Sequence, residues 1–216
     1  MDFDHVATTT RAVRKRLDLD RPVEPEVIQD CLDIAIQAPT GGNGQGWRFI
    51  VVTDPEKRAK LGEFYLSGWQ AAYGGGREQM AASAGSPERA AQQGRVYDSA
   101  DYLANNLAKV PVHVIPCIMG NLGDGTPMWM AASHLASIIP AVWSFQMALR
   151  SRGLGSSYTT LHLVRKDDAA ALLGIPDTAM QVALIPVAYT KGTDFKPATR
   201  RPVSEITYWD NWKASR

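Results

Sequence analysis

Two arginine-rich stretches stand near opposite ends of this sequence. Near the start, TTTRAVRKRL gathers Arg11, Arg14, Lys15 and Arg16 into six positions; near the end, KPATRRPV supplies Lys196, Arg200 and Arg201. A guanidinium is a planar fork that donates two parallel, charge-assisted hydrogen bonds, which suits a phosphate. Taken singly, each cluster reads first as a solvated face. On a helix, Arg11 and Lys15 share one side, Arg14 lies near it, and Val13 and Leu17 point away. Between the clusters lies APTGGNGQGWRF, residues 38–49, with no acid, His or Cys. Its Thr40, Asn43 and Gln45 can hydrogen-bond, while Gly41, Gly42, Gly44 and Gly46 let the backbone approach a flat ligand closely. An ordinary helix-to-strand loop accounts for the same composition equally well.

Protein-supplied catalysts are missing from the pattern. No G-x-G-x-x-G follows a first strand, no G-x-x-x-x-G-K-[ST] occurs, and GGGREQ at residues 74–79 lacks the phosphate-binding Lys. There is no G-x-S-x-G elbow. His5, His113, His134 and His162 are dispersed without ligand spacing and read as surface or core histidines, so no metal is expected. Cys31 and Cys117 sit in apolar segments and read as buried thiols. With 23 Lys plus Arg against 22 Asp plus Glu, the net charge of +1 gives no reason to expect nucleic acid or a membrane surface. The N-terminus lacks an apolar leader, and no long uninterrupted apolar run occurs, so the chain reads as cytoplasmic.

These residues need elements to hold them. At 216 residues and 45% hydrophobic content, the chain reads as one domain, 1–216. Apolar spacing predicts a helix over residues 25–38, opened by Pro25 and ended by Pro39. RFIVVTD, residues 48–54, reads as a strand covered on both faces, followed by a helix over residues 55–66. Residues 67–94, rich in Gly, Ala, Gln and Ser, read as an irregular or mobile insertion. A helix over 99–109 and a strand over 110–118 follow. The longest helical pattern, 130–151, is interrupted by Pro140 and apolar on more than one side, which places it centrally or against a second subunit. GLGSSYTTLHL reads as a helix stop and strand, DDAAALLGI as a short helix, and MQVALIPVAYT as the last strand. The tail is polar and Pro-punctuated, and its Tyr208, Trp209 and Trp212 need something to pack on. Helices alternating with strands indicate α+β or α/β.

Taken in order, TRAVRKRL, APTGGNGQGWRF, RGLGSSYTTLHL, LLGIP and ATRRPV resemble the FMN-dependent nitroreductase family, over nearly the whole chain and most like its actinobacterial members. That resemblance implies an α+β, three-layer fold: a central, mostly antiparallel sheet surrounded by helices. It also implies an intertwined homodimer with FMN at the subunit interface. Arg11, Arg14, Arg200 and, less directly, Arg201 would converge on the FMN phosphate. Ala12 stands where the family often has Ser, and Gly46 where it commonly has Pro. Thr40, Gly41, Asn43 and Gln45 would reach the flavin from the other subunit. Tyr158, Thr159, Thr160 and Leu161 would run beside the ring, with a backbone N–H near Thr160 or Leu161 pointing at N5.

The implied activity is NAD(P)H oxidoreduction. NADPH or NADH would reduce the flavin in a ping-pong cycle, and a small electron-poor aromatic such as a nitroarene or quinone would be the acceptor, with no side chain as acid or base. Trp69 and Tyr73 fall in the lid-like insertion. The same scaffold also serves reductive dehalogenation, ene reduction and flavin destruction, or simple flavin binding. In the dehalogenating branch charged lid residues grip an amino-acid zwitterion, a role open here to Arg77, Glu78, Glu88 and Arg89.

Overall fold

The computed structural model describes residues 2–82, 85–120, 122–123 and 125–214. The chain opens with α1 (Phe3–Thr9), capped by the Asp2 carboxylate, which accepts from the His5 N–H at 2.8 Å. The hydroxyls of Thr8, Thr9 and Thr10 each turn back on a carbonyl four residues earlier, and the helix stops at Thr10. β-Branched residues that bond their own backbone are poor helix continuers. The basic cluster is therefore extended, not helical as its spacing suggested. Val13 N–H donates to Ser156 O and Asp18 N–H to Tyr189 O, both at 2.8 Å, so residues 11–18 run beside the sheet with Val13 and Leu17 buried.

α2 (Pro25–Ala35) follows the predicted amphipathic pattern, burying Ile28, Cys31 and Ala35. β1 (Trp47–Val52) pairs only with β2 (Val112–Met119), antiparallel from Trp47↔Ile118 to Val52↔His113. It is an edge strand, with Val51 40% exposed, rather than one covered on both faces. β2 is buried along almost its whole length and also pairs antiparallel with β4 (Ala179–Gln181) and β5 (Ile185–Tyr189). β3 (Leu154–Ser156) pairs antiparallel with β5, giving the order β1-β2-β5-β3 with β4 beside β2. The predicted last strand is thus two short ones, and of the strand predicted in GLGSSYTTLHL, residues 153–163, only Leu154–Ser156 forms as β3, with a 3₁₀ turn at Leu161–Arg165.

Helices cover both faces of the sheet. On one side α2 and α7 (Ile139–Ser151) pack Ile28, Cys31, Val142, Phe145 and Leu149 against Val112, Val114 and Ile185. On the other, α3 (Pro55–Tyr73), α5 (Pro87–Asn106) and α8 (Lys166–Leu173) bury Leu61, Tyr65, Trp69, Leu103 and Ala169 against Ile115, Cys117 and Leu184. The fold is α+β with an antiparallel sheet between helical layers.

The 67–94 region corrects the expectation of irregularity. α3 continues to Tyr73, α4 spans Gly76–Ala82, and α5 starts at Pro87 behind a Ser86 cap; Ser83 and Ala84 lie outside the described residues. Its weak periodicity reflects helices with broad exposed sides. The long apolar pattern splits as Pro140 foretold, into α6 (Met128–Ala136) and α7, with Pro140 in the first turn of α7. Met128–Ser151 reaches a mean hydropathy of 1.2, yet it is two helices broken at residues 137–138, and α7 is a core helix. α6 buries no residue and exposes Met128 and Trp129 at 81% and 70%.

Candidate functional site

A cleft of about 190 Å³ opens where residue 14 of the extended N-terminal segment meets α3, α5 and residues 158–161. Arg14 is the one charged residue lining it among those described. Its Nη1 reaches Ser99 Oγ on α5 at 3.3 Å, while its Nε is buried with no hydrogen-bond partner. Burial pulls the guanidinium pKa below its ordinary value. Tyr65 lies alongside, 3% exposed; burial raises its phenol pKa, and the Arg14 charge partly opposes that rise. A buried cationic donor without an acceptor is costly unless something supplies one.

The floor is held by backbone pairing. Thr159 N–H donates to Leu184 O at 3.2 Å, Leu184 N–H returns to Thr159 O at 2.8 Å, and Thr159 Oγ1 donates to the same Leu184 carbonyl at 2.7 Å. α3 presses onto this floor at Gly68, where a Cβ would come within 2.1 Å of Leu161 O. The outer wall is aromatic. Trp69 stacks on Tyr73 at 4.7 Å between ring centres, meets Tyr97 at 5.2 Å, and donates from Nε1 to Asp101 Oδ1 at 3.1 Å. Val96 and Ala100 complete the wall, and Tyr158 lines the cleft with its ring about a third exposed, at 36%.

His162 is fully buried, with neither ring nitrogen in a well-aligned hydrogen bond and the Gln181 side chain beside it, and His113 is buried with its Nε2 donating to Leu107 O at 2.9 Å. Burial drives both imidazole pKa values down to about 4, so both are neutral at neutral pH. Neither lines the cleft, and the histidines read as core residues are core residues here. Cys31 and Cys117 are buried free thiols. Among the described residues no group of three His, Cys, Asp or Glu is placed to hold a metal.

The elbow is elsewhere. Gly41 N–H donates to Ser137 Oγ at 3.1 Å, seating it on the end of α6, and Gly46 O accepts from Met119 N–H at 2.8 Å. Asn43 and Gln45 take φ of 54° and 47°. Thr40 Oγ1 accepts from Gln45 N–H, and Gln45 Nε2 donates to Asn43 Oδ1, both at 3.1 Å. Left-handed backbone at non-glycine residues is strain that surrounding structure must hold, and it concentrates at functional sites.

The profile of the nitroreductase family matches residues 7–189. The chain belongs to the nitroreductase family. It is 25% identical over 191 residues, 88% of this chain and 78% of the relative, to a protein of Methanothermobacter thermautotrophicus that carries the provisional name NADH dehydrogenase/NAD(P)H nitroreductase. A relative of the same name from Archaeoglobus fulgidus is 40% identical over 60 residues, a match spanning 28% of this chain and only 33% of that protein. Among solved structures, a BluB-like flavoprotein from Clostridium difficile 630 superposes with a TM-score of 0.71 at 17% identity, covering 98% of this chain and 100% of that one. The FMN and NADPH-dependent nitroreductase NfnB of Sphigopyxis sp. strain HMH, solved as a point variant, gives 0.65 at 20% identity, covering 98% and 100%. These likenesses carry the fold, and family membership marks this nitroreductase-family chain as a flavin-dependent oxidoreductase.

Of the residues singled out from sequence, the fold brings Arg14, Tyr158, Thr159, Thr160 and Leu161 together in the cleft. Ala12 bridges Ser156 on the adjoining strand, and Arg11 Nη1 reaches Lys196 O at 3.3 Å, so the two basic ends of this nitroreductase-family chain do touch there. Arg200 turns to the carbonyl of its neighbour Thr199 at 3.3 Å, and Arg201 is exposed; neither lines the cleft. Thr40, Gly41, Asn43 and Gln45 do not line it either. Sequence reasoning missed Tyr65, Gly68, Val96, Ser99 and Ala100. The spacing of Tyr65, Trp69 and Tyr73, four residues apart, was the available signal, since it puts three aromatics on one helical face once α3 runs past Leu66.

Proposed function

We propose that this chain is an FMN-dependent NAD(P)H oxidoreductase acting on electron-poor aromatic acceptors as a cytoplasmic homodimer, with each FMN held between a cleft of one copy and an elbow of the other. The observation that carries this reading is Arg14: a half-buried cation whose Nε is buried and unpartnered, lining a cleft whose other polar groups are chiefly phenols and threonine hydroxyls. Such a set fits the oxygen-rich edge of a flavin. The cleft is smaller than the roughly 300 to 1,000 Å³ usual for small-molecule sites, so one chain supplies part of the enclosure. The strained, exposed elbow offers the missing donors.

A second copy is the natural source of that elbow. Met128, Trp129, Ile139 and Trp143 leave large apolar surface uncovered near it, and Val203, Ile206 and Trp212 do so in the tail, where Tyr208 and Trp212 pack on each other at 4.9 Å. Exposed apolar patches of this kind mark association surfaces. In the assembly, Arg11, Arg200 and Arg201 would hold the phosphate, Thr40, Gly41, Asn43 and Gln45 the flavin's polar side, and Tyr158 to Leu161 the ring.

FMN reduced by NADPH or NADH would supply the two-electron chemistry that the side chains lack. The chain's own part is positioning and electrostatics: Arg14 offsets negative charge on the ring, the backbone near Thr160 and Leu161 donates to it, and the Trp69 wall excludes water. The test is to mix the purified, flavin-loaded protein anaerobically with NADPH or NADH, then add nitrofurazone or menadione. The reading predicts bleaching of the yellow flavin and its return with acceptor. A protein that takes up no FMN, or whose flavin stays yellow for minutes, contradicts it.

A further inference from the structure

Resting on that functional reading, we infer that Tyr73 and Tyr158 select the acceptor: a flat aromatic whose substituents only accept hydrogen bonds, and never one carrying an ammonium group. The inference comes from what surrounds the cleft rather than from the flavin-facing residues alone. Tyr73 and Tyr158 are its two accessible aromatic side chains, 40% and 36% exposed, whereas Tyr65 and Trp69 are sealed at 3% and 5%. An incoming ring therefore meets these two phenols first.

Tyr73 is held for that role. It stacks on Trp69 with ring planes 29° apart, and Trp69 is itself fixed by its bond to Asp101. A pre-fixed aromatic face offers an offset partner to a planar ring at little entropic cost. It closes α3 immediately before Gly74, Gly75 and Gly76, so its outer edge is free of a following bulky side chain.

The polar inventory is one-sided. Arg14, the three phenols of Tyr65, Tyr73 and Tyr158, and the hydroxyls of Thr159 and Thr160 line the cleft, and among the described lining residues there is no carboxylate. Asp101 is engaged by the Trp69 indole and Asp98 by Arg77 at 3.0 Å. Glu78, Glu88 and Arg89, the lid charges that could have gripped a zwitterion, are exposed and do not line the cleft, and Arg77 is committed to Asp98. With Arg14 turned to the flavin, the acceptor meets the phenols of Tyr73 and Tyr158, which donate to a nitro, quinone or carboxylate oxygen; an ammonium would lose its water with no carboxylate among the described lining residues to replace it.

The experiment uses flavin-loaded protein and three probes of one shape: 4-nitrobenzyl alcohol, 4-nitrobenzoate and 4-nitrobenzylammonium, with 3-iodotyrosine as a zwitterion. FMN content and bleaching by reduced nicotinamide are measured first, so failure of the functional reading shows before any acceptor is added. Equilibrium dissociation constants are then read from flavin fluorescence, and KM and kcat from turnover. The ammonium probe and the zwitterion should bind at least roughly tenfold more weakly than the alcohol, the cost of a desolvated, unpaired charge. Tyr73→Leu should weaken the alcohol and the benzoate by roughly five- to tenfold, chiefly in KM. Tyr73→Phe keeps the stack and should lose roughly threefold, which separates a lost ring from a misfolded protein. Equal binding of the ammonium probe, tight binding of the zwitterion, or unchanged dissociation constants in a folded, flavin-loaded Tyr73→Leu would overturn the inference while leaving the cofactor assignment standing.

Discussion

The cleft and the elbow are two ways of building a binding surface in one chain. The cleft is made by packing: an extended segment, two helices and a paired loop converge, Gly68 removes the atom that would keep them apart, and Arg14 is carried inward on the strength of its neighbours. The elbow is made by the backbone: it is exposed, its non-glycine residues sit at positive φ, and short side-chain bonds hold it open. The difference teaches that damage to the packing around the cleft should register as lost stability, whereas damage to the elbow should register as lost binding with stability intact.

Acid gives the largest separation. In the unfolded chain His113 and His162 protonate near 6.5, but in the fold only near 4. The folded state therefore keeps its full stability above about pH 6.5, loses it as pH falls toward 4, and loses no more below that. Each histidine contributes up to about 3 kcal/mol across the window. Urea melts at pH 7 and pH 4.5 should show this loss, and His162→Phe should roughly halve it. A pH-independent midpoint would mean that the floor beneath the cleft is wet.

Next, Gly68→Val should force α3 off Leu161 O and cost about 1 to 3 kcal/mol, as overpacking does, with flavin lost in parallel. A thermal melt and the flavin content after dialysis check it. Arg14→Ala should weaken FMN retention by about 1.5 to 3 kcal/mol, the range for a hydrogen bond to a charged group. The melt of the flavin-free protein should barely fall, because a buried unpartnered Nε is removed with the charge. The smallest effect is the most telling for the elbow: Gln45→Gly relieves positive φ and should stabilise the apoprotein by up to about 1 kcal/mol while weakening flavin. If stability and binding fell together there, the elbow would be a packed element like the cleft.

What could be read from the sequence follows the same division. Local signals carried far: Pro25 marked the start of α2, Pro140 the interruption where α7 begins, β2 announced itself by an apolar run interrupted at His113, and residues 158–161 fell into the cleft with Arg14. Long-range packing did not carry. Nothing in TTTRAVRKRL says that Gly155 leaves room for Val13 and draws the segment out along β3, so a helical face was assigned to an extended strand. The composition of residues 67–94, rich in Gly, Ala, Gln and Ser, hid the continuation of α3 to Tyr73, where Gly68 lets the helix touch the floor. Family resemblance alone assigned the elbow to a flavin held by the other subunit; among the described residues lining the cleft, none comes from the elbow.

The central claim is that one copy's cleft and another copy's elbow make each site, and mixed dimers test it directly. Chains carrying Arg14→Ala and chains carrying Asn43→Ala with Gln45→Ala would be co-expressed under different tags and the heterodimer isolated. If sites form between copies, one site holds both lesions and the other none, so about half of the FMN sites should retain wild-type affinity by fluorescence titration. If every site in the heterodimer is weakened and none binds at the wild-type level, cleft and elbow belong to the same chain's site and the account is wrong.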